Sequence, residues 1–184
     1  MTIMQTIVIQ PVLFELGQDI MSALKETLSG EFNASSIVTS SPIKEVPLQL
    51  FDKQRKQWKS RNILQWLSDM LKPSSKSTRL LAICDFDAYS DDLNFVFGEA
   101  YVDGSISAIY VPRLRQEFYG LNPDESVFYQ RLVKEAVHEL GHSFGLGHCK
   151  NIKCVMHFSN SLSDTHIKTN RFCNICKHHL QNKD

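Results

Sequence analysis

Residues 138–148 read His138-Glu139-Leu140-Gly141-His142-Ser143-Phe144-Gly145-Leu146-Gly147-His148, and this string constrains its local backbone more than any other stretch of the chain. His138 and His142 stand at i and i+4, so on a helix both imidazoles project from one face, with Glu139 beside them. Gly145 can take positive φ and end that helix in a sharp turn. The turn would carry His148 back toward the other two rings.

Composition isolates the string further. All seven histidines lie between His138 and His179, and four of the five cysteines lie between Cys149 and Cys176. The first 137 residues hold no histidine and only Cys84, which sits in an apolar run and reads as a packed core thiol. Twenty basic residues balance twenty acidic ones, which opposes a general nucleic-acid or membrane-surface binder. The balance hides a split: residues 138–184 carry six basic and three acidic residues, formally +3, which leaves −3 on residues 1–137.

Three neutral imidazoles with one open position are the donor set of a catalytic zinc. Zinc would lower the pKa of its water to about 7 and polarise a substrate carbonyl. Glu139 would accept the water proton and deliver it to a leaving amine. A competing reading is a non-catalytic zinc protein, whose three-histidine site binds peptides or a protein partner without turnover. Glu139 favours the enzyme, because a binder needs no carboxylate there.

Cys149, Cys154, Cys173 and Cys176 follow a C-x4-C-x18-C-x2-C pattern that fits a structural zinc held by four thiolates. Two disulfides or unrelated thiols are the alternatives. A zinc-finger-like nucleic-acid module is allowed by the cysteines but opposed by the neutral charge. Filling both sites gives two zinc ions per chain. The start of the chain lacks a basic region, and no run approaches the roughly 20 apolar residues that span a bilayer. The expectation is a soluble cytoplasmic monomer with no membrane or nucleic-acid partner. In that reducing compartment, clustered cysteines bind metal more often than they form disulfides.

Periodicity predicts strands over residues 6–12, 32–39 and 79–84, and helices over residues 16–28, stopped by Gly30, and 63–71, stopped by Pro73-Ser74-Ser75. Residues 42–59 read as irregular, and Trp58 and Trp66 as packing residues. Residues 94–102 and 105–111 read as a hairpin around Asp103-Gly104. A helix starts at Asn122-Pro123-Asp124 and leads into the histidine string. Together these give a mixed α/β (α+β) sheet packed on two or three helices. The length suits one domain over residues 1–184, with an N-terminal part to residue 148 and an irregular C-terminal segment over 149–184.

The histidine string resembles the metzincin zinc metallopeptidases. The pattern of Cys149, Cys154, Met156, Cys173 and Cys176 narrows the resemblance to the archaemetzincins. Asn94-Phe95-Val96-Phe97-Gly98-Glu99-Ala100, Arg113-Leu114-Arg115 and Phe158-Ser159-Asn160-Ser161-Leu162 are similar to segments of that family. One departure is the 16-residue gap between Met156 and Cys173, about one shorter than the family's pattern.

The resemblance implies a compact metzincin-like domain. It has a mixed twisted sheet with an antiparallel edge strand, a backing helix and an active-site helix. A C-terminal segment is stabilised by zinc. It also implies one catalytic and one structural zinc, and peptide or protein substrates. Aminopeptidase-like cleavage is attributed to some members. A lone Met is usually a core filler, but Met156 matches the Met-turn, whose side chain lies beneath the metal.

Weaker candidates complete the reading. Residues 94–102 could pair with an extended substrate as an edge strand. Glu99 could recognise a substrate's free amine, or be a solvated strand carboxylate. His157 could donate to an oxyanion, or be inert. His166 could approach the cleft, while His178 and His179 read as solvated.

Overall fold

A computed structural model describes residues 5–72, 77–159 and 161–182. The expected Pro73-Ser74-Ser75 break, Asn160 and the first four residues lie outside the described residues. In chain order the strands are β1 (Thr6–Val12), β2 (Ser36–Thr39), β3 (Phe51–Asp52), β4 (Gln57–Lys59), β5 (Thr78–Cys84), β6 (Ala88–Tyr89), β7 (Gly98–Ala100) and β8 (Ile106–Tyr110). The α-helices are α1 (Gln18–Phe32), α2 (Ser60–Leu71), α3 (Glu125–Ser143), α4 (Leu162–Ile167) and α5 (Asn174–Gln181).

The main sheet runs β2-β1-β5-β8-β7. Its first four strands are parallel, and β7 pairs antiparallel with β8 at the edge. Central parallel strands are covered on both faces, which is why β5 and β8 are almost wholly apolar. The period-2 alternation then divides the core. Ile7, Ile9, Leu81, Ile83 and Ile109 face α1 and α3, while Leu80, Ala82, Ile106, Ala108 and Tyr110 face α2.

Four local expectations change, one being that the C-terminal segment expected to be irregular carries α4 and α5. Helix α1 passes through Gly30 and ends at Asn33, whose φ of 48° is left-handed. Phe32 explains the extra turn, since its ring stacks on Phe144 at 4.9 Å and meets Phe172 edge-on at 5.3 Å. Residues 42–59 are less irregular than expected, because β3 and β4 join β6 in a second small sheet. Phe51, Trp58 and Phe86 pack in series there, with ring centroids 5.1 and 5.2 Å apart.

The predicted strand over 94–102 pairs only at Gly98–Ala100. Upstream, the Val96 amide donates to Ala88 of the small sheet at 3.0 Å, so this stretch crosses from one sheet to the other. At the hairpin tip the positive φ falls on Asp103, at 57°. A Cβ on Gly104 would lie 2.5 Å from Tyr101 Cβ. The Asp103 amide donates to the His142 carbonyl at 3.0 Å, tying the tip to the end of α3.

Candidate functional site

Helix α3 carries the first two histidines and Glu139. Asp124 caps its start by accepting from the Val127 amide at 3.0 Å. Its end is a Schellman turn. Gly145 sits at φ 85°, its amide donates to His142 at 2.7 Å, and the Leu146 amide reaches back to Gly141 at 2.9 Å. The chain then returns His148 to the site, with its ring centroid 4.9 Å from His142 and 5.5 Å from His138.

Second partners fix two of the rings. His138 Nδ1 donates to the Val155 carbonyl and His142 Nδ1 to the Leu146 carbonyl, each at 2.7 Å. A carbonyl only accepts, so both Nδ1 atoms carry the proton and both Nε2 atoms present lone pairs. Those two Nε2 atoms lie 3.1 Å apart. Facing lone pairs at that distance repel unless a cation lies between them. Tetrahedral zinc with bonds of about 2.0–2.1 Å would set such nitrogens about 3.3–3.4 Å apart, so the donor set fits zinc. Burial, reinforced by the Lys168 ammonium, holds His138 well below the ordinary imidazole range. Burial also takes His142 down to about 4 and lowers His148. All three are therefore neutral ligands at pH 7.

Glu139 is buried against β7. A Cβ at Gly98 would lie 2.5 Å from Glu139 Cγ and 2.6 Å from its Oε1, so the strand backbone rests directly on this carboxylate. Burial pushes the Glu139 carboxyl well above the usual range, and the charges of Glu135 and Glu99 add to the rise. Below the helix, a Cβ at Gly141 would collide with Met156 Sδ, and Met156 is fully buried. The small residue inside the histidine string thus makes room for the methionine.

His138, Glu139, His142 and His148 line a cleft of about 430 Å³. Residues 93–100 make one wall and Phe158 with Ser159 part of the other. Glu99 lines it, and its buried Oε2 has no hydrogen-bond partner.

The four cysteines converge beside the third histidine. Cys149 and Cys173 Sγ are 3.8 Å apart, and Cys154 and Cys176 Sγ are 3.7 Å apart. A disulfide needs about 2.05 Å, so neither pair is bridged in this structure. Tetrahedral thiolates at about 2.3 Å from zinc sit about 3.8 Å from each other, so this cluster also fits the ion. Cys84 is fully buried in β5, where burial raises its thiol pKa.

The sequence profile of peptidase family M54 matches residues 19–182. The chain belongs to peptidase family M54, the archaemetzincins. An archaemetzincin of Methanocaldococcus jannaschii is 39% identical over 183 residues, covering 100% of this chain and 97% of that one. The crystal structure of a Methanopyrus kandleri archaemetzincin superposes with a TM-score of 0.80 at 31% identity, covering 96% of this chain and 94% of its own. A zinc-dependent peptidase of Methanocorpusculum labreanum superposes with a TM-score of 0.81 at 28% identity, covering 95% and 99%. The chain is accordingly a zinc metallopeptidase with the mixed α/β fold of its family, and its substrates are peptides or proteins.

Within this M54 peptidase the weaker candidates separate. Glu99 lines the cleft. His157 is not among the described residues that line it; its Nδ1 lies 2.9 Å from the Cys149 carbonyl. His166 Nε2 lies 2.8 Å from Arg131 Nη2 on α3, also outside the cleft lining. His178 and His179 belong to α5 and to neither cluster. Trp58 is core, and Trp66 packs against the same cluster.

Other features of the site were not read from the sequence. Lys168 is completely buried, with its Nζ 3.0 Å from Glu135 Oε1. Its position in a polar stretch gives no hint of this. Arg113 binds Asp87 with two contacts of 2.6 and 2.7 Å while lying 4.4 Å over the Phe95 ring. It thereby braces the cleft wall. Acidic residues before a strand and basic residues after one were a faint signal of that pairing.

Proposed function

We propose that the chain hydrolyses peptide bonds at the three-histidine site, with His138, His142 and His148 holding one zinc and Glu139 acting as general base and then general acid. The observation that carries this is the pair of unprotonated Nε2 atoms 3.1 Å apart beside a buried carboxylate. When bound, zinc supplies Lewis acidity toward the scissile carbonyl and acidifies water. Glu139 takes a proton from the attacking water as its oxygen bonds to the carbonyl carbon. As the C–N bond breaks, Glu139 returns that proton to the leaving nitrogen. Burial that lifts its carboxyl makes it a better proton acceptor once ionised. Cys149, Cys154, Cys173 and Cys176 would hold a second, structural zinc, and Met156 packs against Gly141, between the first two histidines.

The reading extends to one catalytic unit over residues 1–184, acting as a cytoplasmic monomer without nucleic-acid or membrane partners. The neutral composition opposes a general nucleic-acid partner, and no helix among the described residues is long and apolar enough to cross a membrane. His157, hydrogen-bonded to Cys149, supports the metal-binding loop in this reading rather than an oxyanion.

Metal analysis should find about two zinc per chain. Against a peptide library the wild type should cleave and Glu139→Ala should not. Equal cleavage by both proteins removes Glu139 from the mechanism. The unpartnered Glu99 oxygen supports aminopeptidase-like recognition of a free N-terminus. Glu99→Gln should then raise KM for free peptides and leave N-acetylated ones unchanged; an unmoved KM for the free peptides ends that assignment.

A further inference from the structure

We propose that the four-cysteine cluster positions the three-histidine site, so that the histidines' hold on metal depends on whether the cysteines are ligated. The proposal rests on the two-site reading above and concerns residues 149–157.

No helix or strand among the described residues lies between α3 and α4, so this stretch depends on individual ties. Two of the three histidines depend on it directly. His138 is oriented by the carbonyl of Val155, which stands between the ligand Cys154 and Met156. His148 is bonded in sequence to the ligand Cys149. The two ends are also joined to each other. The Cys149 amide donates to Met156 at 2.9 Å, and His157 Nδ1 donates to the Cys149 carbonyl at 2.9 Å.

The cluster anchors both ends to the start of α5. Cys149 Sγ meets Cys173, Cys154 Sγ meets Cys176, and the Cys173 amide donates to Cys154 Sγ at 3.3 Å. A shift of Cys149 moves His148, and a shift of Cys154 moves the carbonyl that orients His138. His142 is different, because its partner Leu146 lies in the Schellman turn, which closes through its own backbone bonds. The buried Lys168–Glu135 pair holds the segment around α4 to α3 independently of the thiols. Emptying the cluster therefore loosens two ligands while the segment stays docked.

The test uses cobalt as a spectroscopic probe. In the wild type, one Co²⁺ should show thiolate-to-metal charge transfer and the other only the weaker bands of nitrogen ligation. A wild type that binds a single ion overturns both the two-site reading and this proposal; two ions leave the coupling to be decided by variants. Cys173→Ser removes a ligand distant in sequence from both histidines. Its charge-transfer band should fall, and Zn²⁺ and Co²⁺ affinity at the histidine site should drop about 10- to 100-fold, as for loss of a ligand-orienting partner. Far-ultraviolet circular dichroism should be unchanged. Ile63→Val, a core change on the opposite face of the sheet, should leave that affinity unaltered. Affinity unchanged in Cys173→Ser, or reduced equally in Ile63→Val, overturns the coupling. If Cys173→Ser does not fold, the wild-type zinc protein is treated with 4-hydroxymercuribenzoate to strip the thiolates. Zinc should then leave the histidine site to a chelating dye faster than in untreated protein, and an equal rate overturns the proposal.

Discussion

At the scale of single residues, two glycines shape the site by what they leave out. Gly141 admits Met156 beneath α3, and Gly98 admits the Glu139 carboxylate against β7. A methyl group at residue 98 can be accommodated only by moving Glu139, since the atoms it would meet belong to that side chain. Gly98→Ala should therefore lower kcat/KM about 100-fold, the effect of a misplacement of about 1 Å, while zinc content stays at the wild-type value. Steady-state kinetics beside metal analysis checks this, and lost zinc would point to a wider disturbance. The string from His138 to His148 disclosed the ligands and the base because their chemistry fixes both spacing and residue type. It could not disclose Gly98, whose requirement arises from a contact 41 positions away in sequence.

Among the elements, α3 and the segment that packs on it hold the catalytic groups in place. Lys168 and Glu135 are both almost completely buried, so their pairing stands in for the water that each charge has lost. Lys168→Met leaves an unpaired buried carboxylate and should cost about 3–5 kcal/mol in urea unfolding. The double variant Lys168→Met/Glu135→Leu should recover most of that loss. If the double variant is as unstable as the single, the damage lies in packing rather than charge. Helices α1, α2 and α3 and strands β1, β5 and β8 were legible, since each is long enough to carry a hydrophobic period. Strands β3, β4 and β6, of two or three residues, are too short to show one. Gly30 misled because the Phe32 ring stack outweighs a glycine's weak local cost.

For the molecule as a whole, the histidine cluster links stability to pH. The folded-state imidazoles are depressed, His142 from its ordinary 6.5 to about 4. Between those values the unfolded chain binds more protons than the folded one, so stability falls as pH falls through the window. The buried Glu139 carboxyl is raised, and its contribution runs in the opposite direction. Metal-free Glu139→Gln protein isolates the histidines. Its melting temperature should decline steadily from pH 7 to pH 4.5, and a flat profile would show that the rings are hydrated without metal. The sheet carries a consequence of another kind. Its two outer strands, β2 and β7, are only four and three residues long. Rims so short offer a passing chain too few unpaired amides and carbonyls to nucleate a ladder. The long apolar strands β5 and β8 lie inside them, screened from recruitment into aggregates whenever the chain is folded.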